Sequence, residues 1–262
     1  MRRWMALSLM ALVVTSTAFA QDSKLRRIAS GIDARGWEAV GRLDLGPSGF
    51  CTGALIADDL VLTAAHCLFD KDTGAPVPET EIAFLAGWRD GRASASRTVR
   101  RTLVHPEYDP GHQTRTDQMR FDLALLQLDH PIRDGRIKPF GIATRPRRGA
   151  AIAVVSYGKG REEAPSLQDF CRVIGLQDGV LVTSCSVELG SSGAPIFVMG
   201  PGRVDIVSVV TAKGQVGQEA VSLGTPVDAP LDLLLETMAG APDRDWQRVG
   251  QGHDTGAKFV KP

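Results

Sequence analysis

Short apolar runs recur along most of the chain, each bounded by Gly, Pro, Asp or Ser. They read WEAVGRLDL, CTGALIADDLVLTAAHC, RTVRRTLVHP, DLALLQLD, AIAVVSYG, FCRVIGL, GVLVTSC, APIFVM and VDIVSVVTA. Enrichment in Val, Ile and Thr predicts that they are strands. One segment breaks the pattern. In DAPLDLLLETMA, residues 228–239, Leu231, Leu234, Leu235 and Met238 follow the i, i+3, i+4, i+7 spacing of one buried helix face, with Asp228 as the N-cap. Many strands, one terminal helix and no strand–helix alternation predict an all-β barrel or sandwich rather than a parallel α/β sheet. The stretch HPIRDGRIKPFGIATRPRRG, residues 130–149, carries three prolines and three glycines and reads as the linker between two halves. The polar, Gly-bearing residues 241–262 read as a loosely held tail.

Composition narrows the class. With 262 residues, 43% of them hydrophobic, the chain can bury one core or two small ones and is not of disordered type. The start, MRRWMALSLMALVVTSTAFA, has a basic head, an apolar run from Trp4 to Val14 and an Ala18-Phe19-Ala20 cleavage pattern. It predicts a signal peptide over 1–20 and export to periplasm or medium, the alternative being an uncleaved membrane anchor. Loss of residues 1–20 removes Arg2 and Arg3, leaving 28 basic against 30 acidic residues. That balance supplies no electrostatic case for nucleic acid, or for a membrane once the signal is removed. Cys51, Cys67, Cys171 and Cys185 remain, an even count that suits disulfides in an exported chain. Spacing alone permits three connectivities; without a Cys-x-x-Cys pair, zinc is disfavoured and no metal is expected.

Three stretches carry chemistry together. LTAAHC places His66 at the end of a predicted strand, FDLALLQL places Asp122 before another, and GSSGAP holds Ser191 and Ser192 between Gly190 and Gly193. A serine nucleophile needs an imidazole that accepts and returns a proton near neutrality. The imidazole needs a buried carboxylate on its other nitrogen, and glycines let backbone N–H groups face a developing oxyanion. Taken singly, His66 could be a strand-end histidine, Asp122 a strand cap and GSSGAP an ordinary loop. Rival groups have weaker settings. Asp109 lies in a Pro-bounded turn, Asp129 ends its strand, and His112, His130 and His253 have no companions.

These blocks resemble the chymotrypsin-like (trypsin-fold) serine endopeptidases, and within them the bacterial glutamyl-endopeptidase-like branch. FCTGALI…VLTAAHC is similar to the family's histidine block, HPEYDP…FDLALLQL to its aspartate block and GSSGAP to its serine block. The resemblance runs from Ile28 to the terminal helix. It implies two six-stranded antiparallel β-barrels, residues 28–140 and 141–240, the second including the helix. It implies a serine endopeptidase acting on polypeptides, with catalytic His66, Asp122 and Ser192 and with oxyanion donors on Gly190 and Ser192. The implied reaction passes through an acyl-enzyme and needs no cofactor; we expect a monomer. By the resemblance Cys51 pairs with Cys67, leaving Cys171 with Cys185, and His105 is a non-catalytic landmark.

Two departures bear on activation and specificity. Many family members place Asp before the nucleophile, to pair with a new amino terminus after cleavage; here that position is Ser191. Cleavage after Arg27 would expose Ile28 and make residues 21–27 a short propeptide. With no carboxylate at 191, unless Glu188 turns inward, a protease needing little or no activation beyond export is expected. For the substrate pocket, the resemblance aligns Val209 and Val210 with an aromatic residue and a glycine, which predicts small or medium apolar preference. Ser186 matches the pocket base and Glu188 does so more loosely; the strand lacks the histidine of the glutamate-selective branch. The alternatives are a non-catalytic binding module on the same fold and a hydrolase of other esters. The latter is disfavoured because the Gly-x-Ser-x-Gly elbow is missing.

Overall fold

The computed structural model describes residues 25–112 and 116–240. The expected signal segment 1–20, the first part of the expected propeptide 21–27, and residues 241–262 with His253 lie outside the described residues. A two-residue strand, β1 (Arg26–Arg27), opens the described chain. Six strands follow: β2 (Val40–Asp44), β3 (Phe50–Ala57), β4 (Leu60–Thr63), β5 (Ala83–Ala86), β6 (Ala95–Val104) and β7 (Ala124–Leu128). They close in the order β2-β3-β4-β7-β6-β5, every pairing antiparallel. A single turn, α1 (Thr116–Met119), precedes β7.

A short β8 (Gly141–Ile142) leads to β9 (Ala151–Ser156), β10 (Ser166–Gln177), β11 (Val180–Thr183), β12 (Pro195–Gly200), β13 (Arg203–Val216) and β14 (Glu219–Pro226). Because β9 pairs with both β10 and β12, the ring β9-β10-β11-β14-β13-β12 also closes. Closure leaves no open edge within either ring. The strand β1 pairs with β10, and β8 runs parallel to β13. The architecture is two closed six-stranded antiparallel barrels with a C-terminal helix, α2 (Asp228–Gly240). This is the all-β class that the apolar pattern and the resemblance predict.

Alternation along the strands makes two cores. Ile152 and Val154 of β9 pack inside the second barrel with Val173, Leu181, Ile196 and Val207. Their neighbours Ala153 and Val155 face the other way, into a larger core that fills the first barrel and continues across the seam. Trp37, Phe140 and Phe197 meet in that seam, with Phe197 centroids 5.2 Å from Trp37 and 4.6 Å from Phe140. Helix α2 returns to the first barrel, where Arg101 Nη2 of β6 donates to Met238 O at 2.8 Å.

The apolar runs omit β5 and β14: AFLA is too short to show a period, and Ser, Gly and Pro interrupt EAVSLGTP. One expectation is corrected. Leu235 is not on the buried helix face; it is 37% exposed, whereas Leu231, Leu234 and Met238 are buried. At about 100° per residue, the centre of those three lies roughly 70° from Leu235, so one neighbouring element cannot cover it too.

Disulfides join Cys51 to Cys67 and Cys171 to Cys185, with Cα–Cα distances of 6.2 and 5.2 Å. The second closes a loop of 14 residues between β10 and the segment leading to Ser192. Replacing both Cys171 and Cys185 by serine should cost about 3 kcal/mol, chiefly by freeing the unfolded chain. A lowered urea midpoint would show it; an unchanged midpoint would contradict it.

Candidate active site

The site is built where the two barrels meet. Strand β4 runs into a 3-10 turn, Ala65–Leu68, so His66 lies just beyond the strand rather than on it. The disulfide from Cys67 to Cys51 ties this turn back to β3. Asp122 enters one residue before Leu123 and two before β7, and its side chain is only 4% exposed. The His66 backbone N–H donates to Asp122 Oδ1 at 2.8 Å, and His66 Nδ1 meets Asp122 Oδ2 at 2.7 Å. An ionised carboxylate can only accept, so this contact puts a proton on Nδ1, and in the neutral ring Nε2 is then the acceptor. The Thr211 hydroxyl also donates to Asp122 Oδ2. Burial first, and the Asp122 charge second, push the Tyr108 phenol far above its ordinary value, so this neighbour stays neutral.

Thr211 was missed by sequence reading, and the reason is local. Val210 pairs with Gly224 and Ala212 with Leu223, so Thr211 is an extra residue in β13 opposite β14. A bulge of this kind re-aims a side chain, here out of the strand's alternation and onto Asp122. Alternation alone cannot reveal it.

The other half comes from the loop before β12. Ser192 is partly exposed, whereas Ser191 is fully buried. Ser192 O accepts from the Thr52 N–H at 2.9 Å. Thr52 Oγ1 donates to Gly190 O at 2.9 Å and accepts from the Tyr157 N–H at 3.1 Å, and Thr52 O accepts from Thr63 Oγ1 at 2.9 Å. One buried threonine of β3 therefore stitches the first barrel to two loops of the second. Gly193 has φ 78°, and a Cβ there would collide with Thr63 Oγ1 and Thr52 O. Gly190 has φ 90°, and a Cβ there would strike the Phe50 ring.

Backbone hydrogen bonds in this loop alternate. Ser191 N–H donates to Glu188 O and Gly193 N–H donates to Val210 O, at 2.9 and 2.8 Å. Among the described residues, neither the Gly190 N–H nor the Ser192 N–H has a protein acceptor. Such donors near a buried loop are rare, and they are free to bind an oxyanion. Substituting Thr52 by valine should leave Gly190 O and the Tyr157 N–H without partners. An unmade buried hydrogen bond costs about 1–3 kcal/mol, so stability should fall by about 3 kcal/mol. Chemical denaturation would check this, and a loss below about 0.5 kcal/mol would contradict it.

A cavity of about 430 Å³ opens beside Ser192, between Val187–Leu189 and Val210–Lys213. Val210 lines it. Val209 does not: it is fully buried in the core shared by the barrels, because the irregularities along β13 turn it away. Ser186 is also absent from the lining, held instead by Gln168, whose Oε1 accepts the Ser186 N–H at 2.9 Å. Thr211, Ala212 and Lys213 take the wall that had been assigned to Val209. Glu188 does not turn inward; it is half-exposed and pairs with Lys213 Nζ at 3.1 Å.

The rival groups lie elsewhere. His105 is buried, stacks on Phe121 at 5.0 Å, and is held below its ordinary pKa by burial, with Glu107 opposing. His130 is exposed beside Asp129. The sulfurs of Cys51 and Cys67 lie close to the His66 ring, but the disulfide consumes both, leaving one imidazole to a metal. That donor set does not suit zinc.

Comparison with known proteins agrees with this fold. The model of the family described as Trypsin matches residues 32–232. Human serine protease 56 is 30% identical over 241 residues, 80% of this chain and 38% of that protein. Mouse serine protease 56 is 29% identical over 238 residues, 79% and 37% respectively. Mouse cathepsin G is 33% identical over 113 residues, 42% and 39%. The chain thus spans well under half the length of the two serine protease 56 proteins. With both barrels closed and the family match crossing the histidine, aspartate and serine segments, the chain belongs to the trypsin family of chymotrypsin-fold serine proteases.

Proposed function

We propose that the chain is an exported serine endopeptidase in which His66, Asp122 and Ser192 act together. Ser192 Oγ attacks a peptide carbonyl as His66 Nε2 takes its proton. The carbonyl oxygen becomes an oxyanion held by the Gly190 and Ser192 N–H groups, and collapse expels the amine, to which His66 returns the proton. Water then hydrolyses the acyl-enzyme by the same steps. One observation carries this reading: two N–H groups without acceptors flank a buried Ser191, beside a serine that lines a cavity sharing Thr211 with the His66–Asp122 pair.

The cavity supports a preference for small or medium apolar side chains. Val187, Leu189, Val210 and Ala212 contribute its apolar surface, and Glu188 and Lys213 offset each other's charge. Nothing in the relatives compared indicates the glutamyl-endopeptidase-like branch. The leader-like sequence of residues 1–20 and two disulfides support action outside the cytoplasm, in periplasm or medium.

The test is to digest a denatured protein mixture with the purified chain, map new termini, and repeat after treatment with a sulfonyl fluoride. The expected result is cuts after small apolar residues, lost on treatment, with a single sulfonyl adduct on Ser192. Cuts after glutamate or arginine would overturn the specificity. No new termini and no adduct would favour a binding module on the same fold.

A further inference from the structure

Behind the serine loop lies a partly buried cation that the reaction above does not use. Arg161 Nη1 donates to Ser156 O at 2.6 Å, and Nη2 donates to Ser156 Oγ and Ser191 Oγ, each at 3.0 Å. Among the described residues Arg161 forms no ion pair. Burial holds its pKa below the ordinary value, with Glu188 and then Glu162 opposing. Partly desolvating a guanidinium against neutral acceptors is costly unless its hydrogen bonds are well placed.

Two of them hold Ser156, and the third reaches the Ser191 hydroxyl. Ser191 Oγ lies 3.0 Å from Tyr157 O, to which it can donate, and it accepts from Arg161 Nη2. Its second lone pair faces the Glu188 N–H at 3.4 Å. A hydroxyl has one donor and two acceptor sites, so Ser191 is saturated. Its neighbours Gly190 and Ser192 carry the two free N–H groups. Gly158 makes room for the guanidinium: a Cβ there would lie 2.7–2.9 Å from Nη2, Cζ and Nε of Arg161.

The amino-terminal side is already settled in the uncut chain. Ile28 is 1% exposed, and its N–H donates to Pro165 O at 2.8 Å. Arg26 and Arg27 pair with Leu167 and Ser166, and Arg27 Nη2 bonds Asp90 Oδ1 at 2.6 Å. The bond after Arg27 thus closes a short paired strand, with the Ile28 side chain and N–H already engaged.

We propose that Arg161 is a positioning residue that locks the loop Glu188–Ser192 through Ser191, so that the oxyanion donors are set without a new amino terminus at Ile28. This rests on the serine-protease reading above. The guanidinium does from within the chain what the family assigns to a new terminus paired with an Asp at position 191.

The test uses the mature chain with the Arg27–Ile28 bond verified intact. Arg161→Ala is expected to lower kcat by about 10²-fold, the scale of one lost oxyanion donor, with KM little changed. Millimolar guanidinium should restore part of that kcat, and methylammonium should not. Gly158→Ala, whose Cβ would meet the flexible end of Arg161 first, should mimic the defect while the fold is retained. Arg27→Gln should be fully active. Independently of turnover, amide exchange across residues 186–195 should rise in Arg161→Ala while the melting temperature stays near that of the parent. Unchanged exchange overturns the proposal whether or not the parent is active. A parent active only after cleavage, or an inactive Arg27→Gln, overturns it as well. If the parent shows no Ser192-dependent turnover but exchange rises as expected, the protease reading fails and the lock stands.

Discussion

Replacing Ser192 by alanine is expected to lower kcat by about 10⁶-fold, or about 8 kcal/mol of transition-state stabilisation. On the proposed mechanism the variant loses the nucleophile, yet keeps the cavity and the backbone N–H groups of positions 190 and 192. KM should therefore move little, and residual catalysis should reflect the oxyanion donors alone. The adjacent Ser191 cannot stand in. Its hydroxyl is fully buried and its bonding capacity is used by Tyr157 O and Arg161. Ser191→Ala should still label at Ser192 with a sulfonyl fluoride, though more slowly. Substantial turnover by Ser192→Ala would show that the reactive group lies elsewhere.

The second large effect is at Asp122. Its two oxygens accept from the His66 N–H, from His66 Nδ1 and from Thr211 Oγ1. An asparagine has one acceptor oxygen and would turn its NH2 toward one of these donors. Asp122→Asn should then favour the wrong tautomer, with the ring proton on Nε2 and the acceptor facing away from Ser192. A drop of about 10⁴-fold in kcat is expected at pH 7, with the fold retained. Steady-state kinetics alongside a thermal melt would separate this from unfolding. A loss of less than tenfold would mean that His66 does not rely on Asp122 for its orientation.

Which residue types could do chemistry was legible along the chain, because each sits in a local block. LTAAHC, FDLALL and GSSGAP each carry the candidate beside strand or turn signals, and the cysteines mark the flanks of two of them. The pocket was legible only to within a few residues. Val209 looked like its wall, yet two irregularities along β13 carry Val209 into the core and bring Thr211 and Lys213 to the cavity.

The sequence by itself determined the all-β class, through runs of β-branched residues between turn signals, and the order of the three chemical blocks. It also determined most of the terminal helix, whose 3.6-residue period is a property of neighbouring positions. Only the tertiary structure decided what those blocks meet. Thr52 reaches Gly190 across 138 residues, Thr211 reaches Asp122 across 89, and Arg161 reaches Ser191 across 30. Such contacts leave no periodic trace, because their partners are chosen by barrel closure and by bulges that shift register one residue at a time. A threonine or an arginine in a loop reads as solvated until the fold buries it, and burial is what makes each of these hydrogen bonds matter.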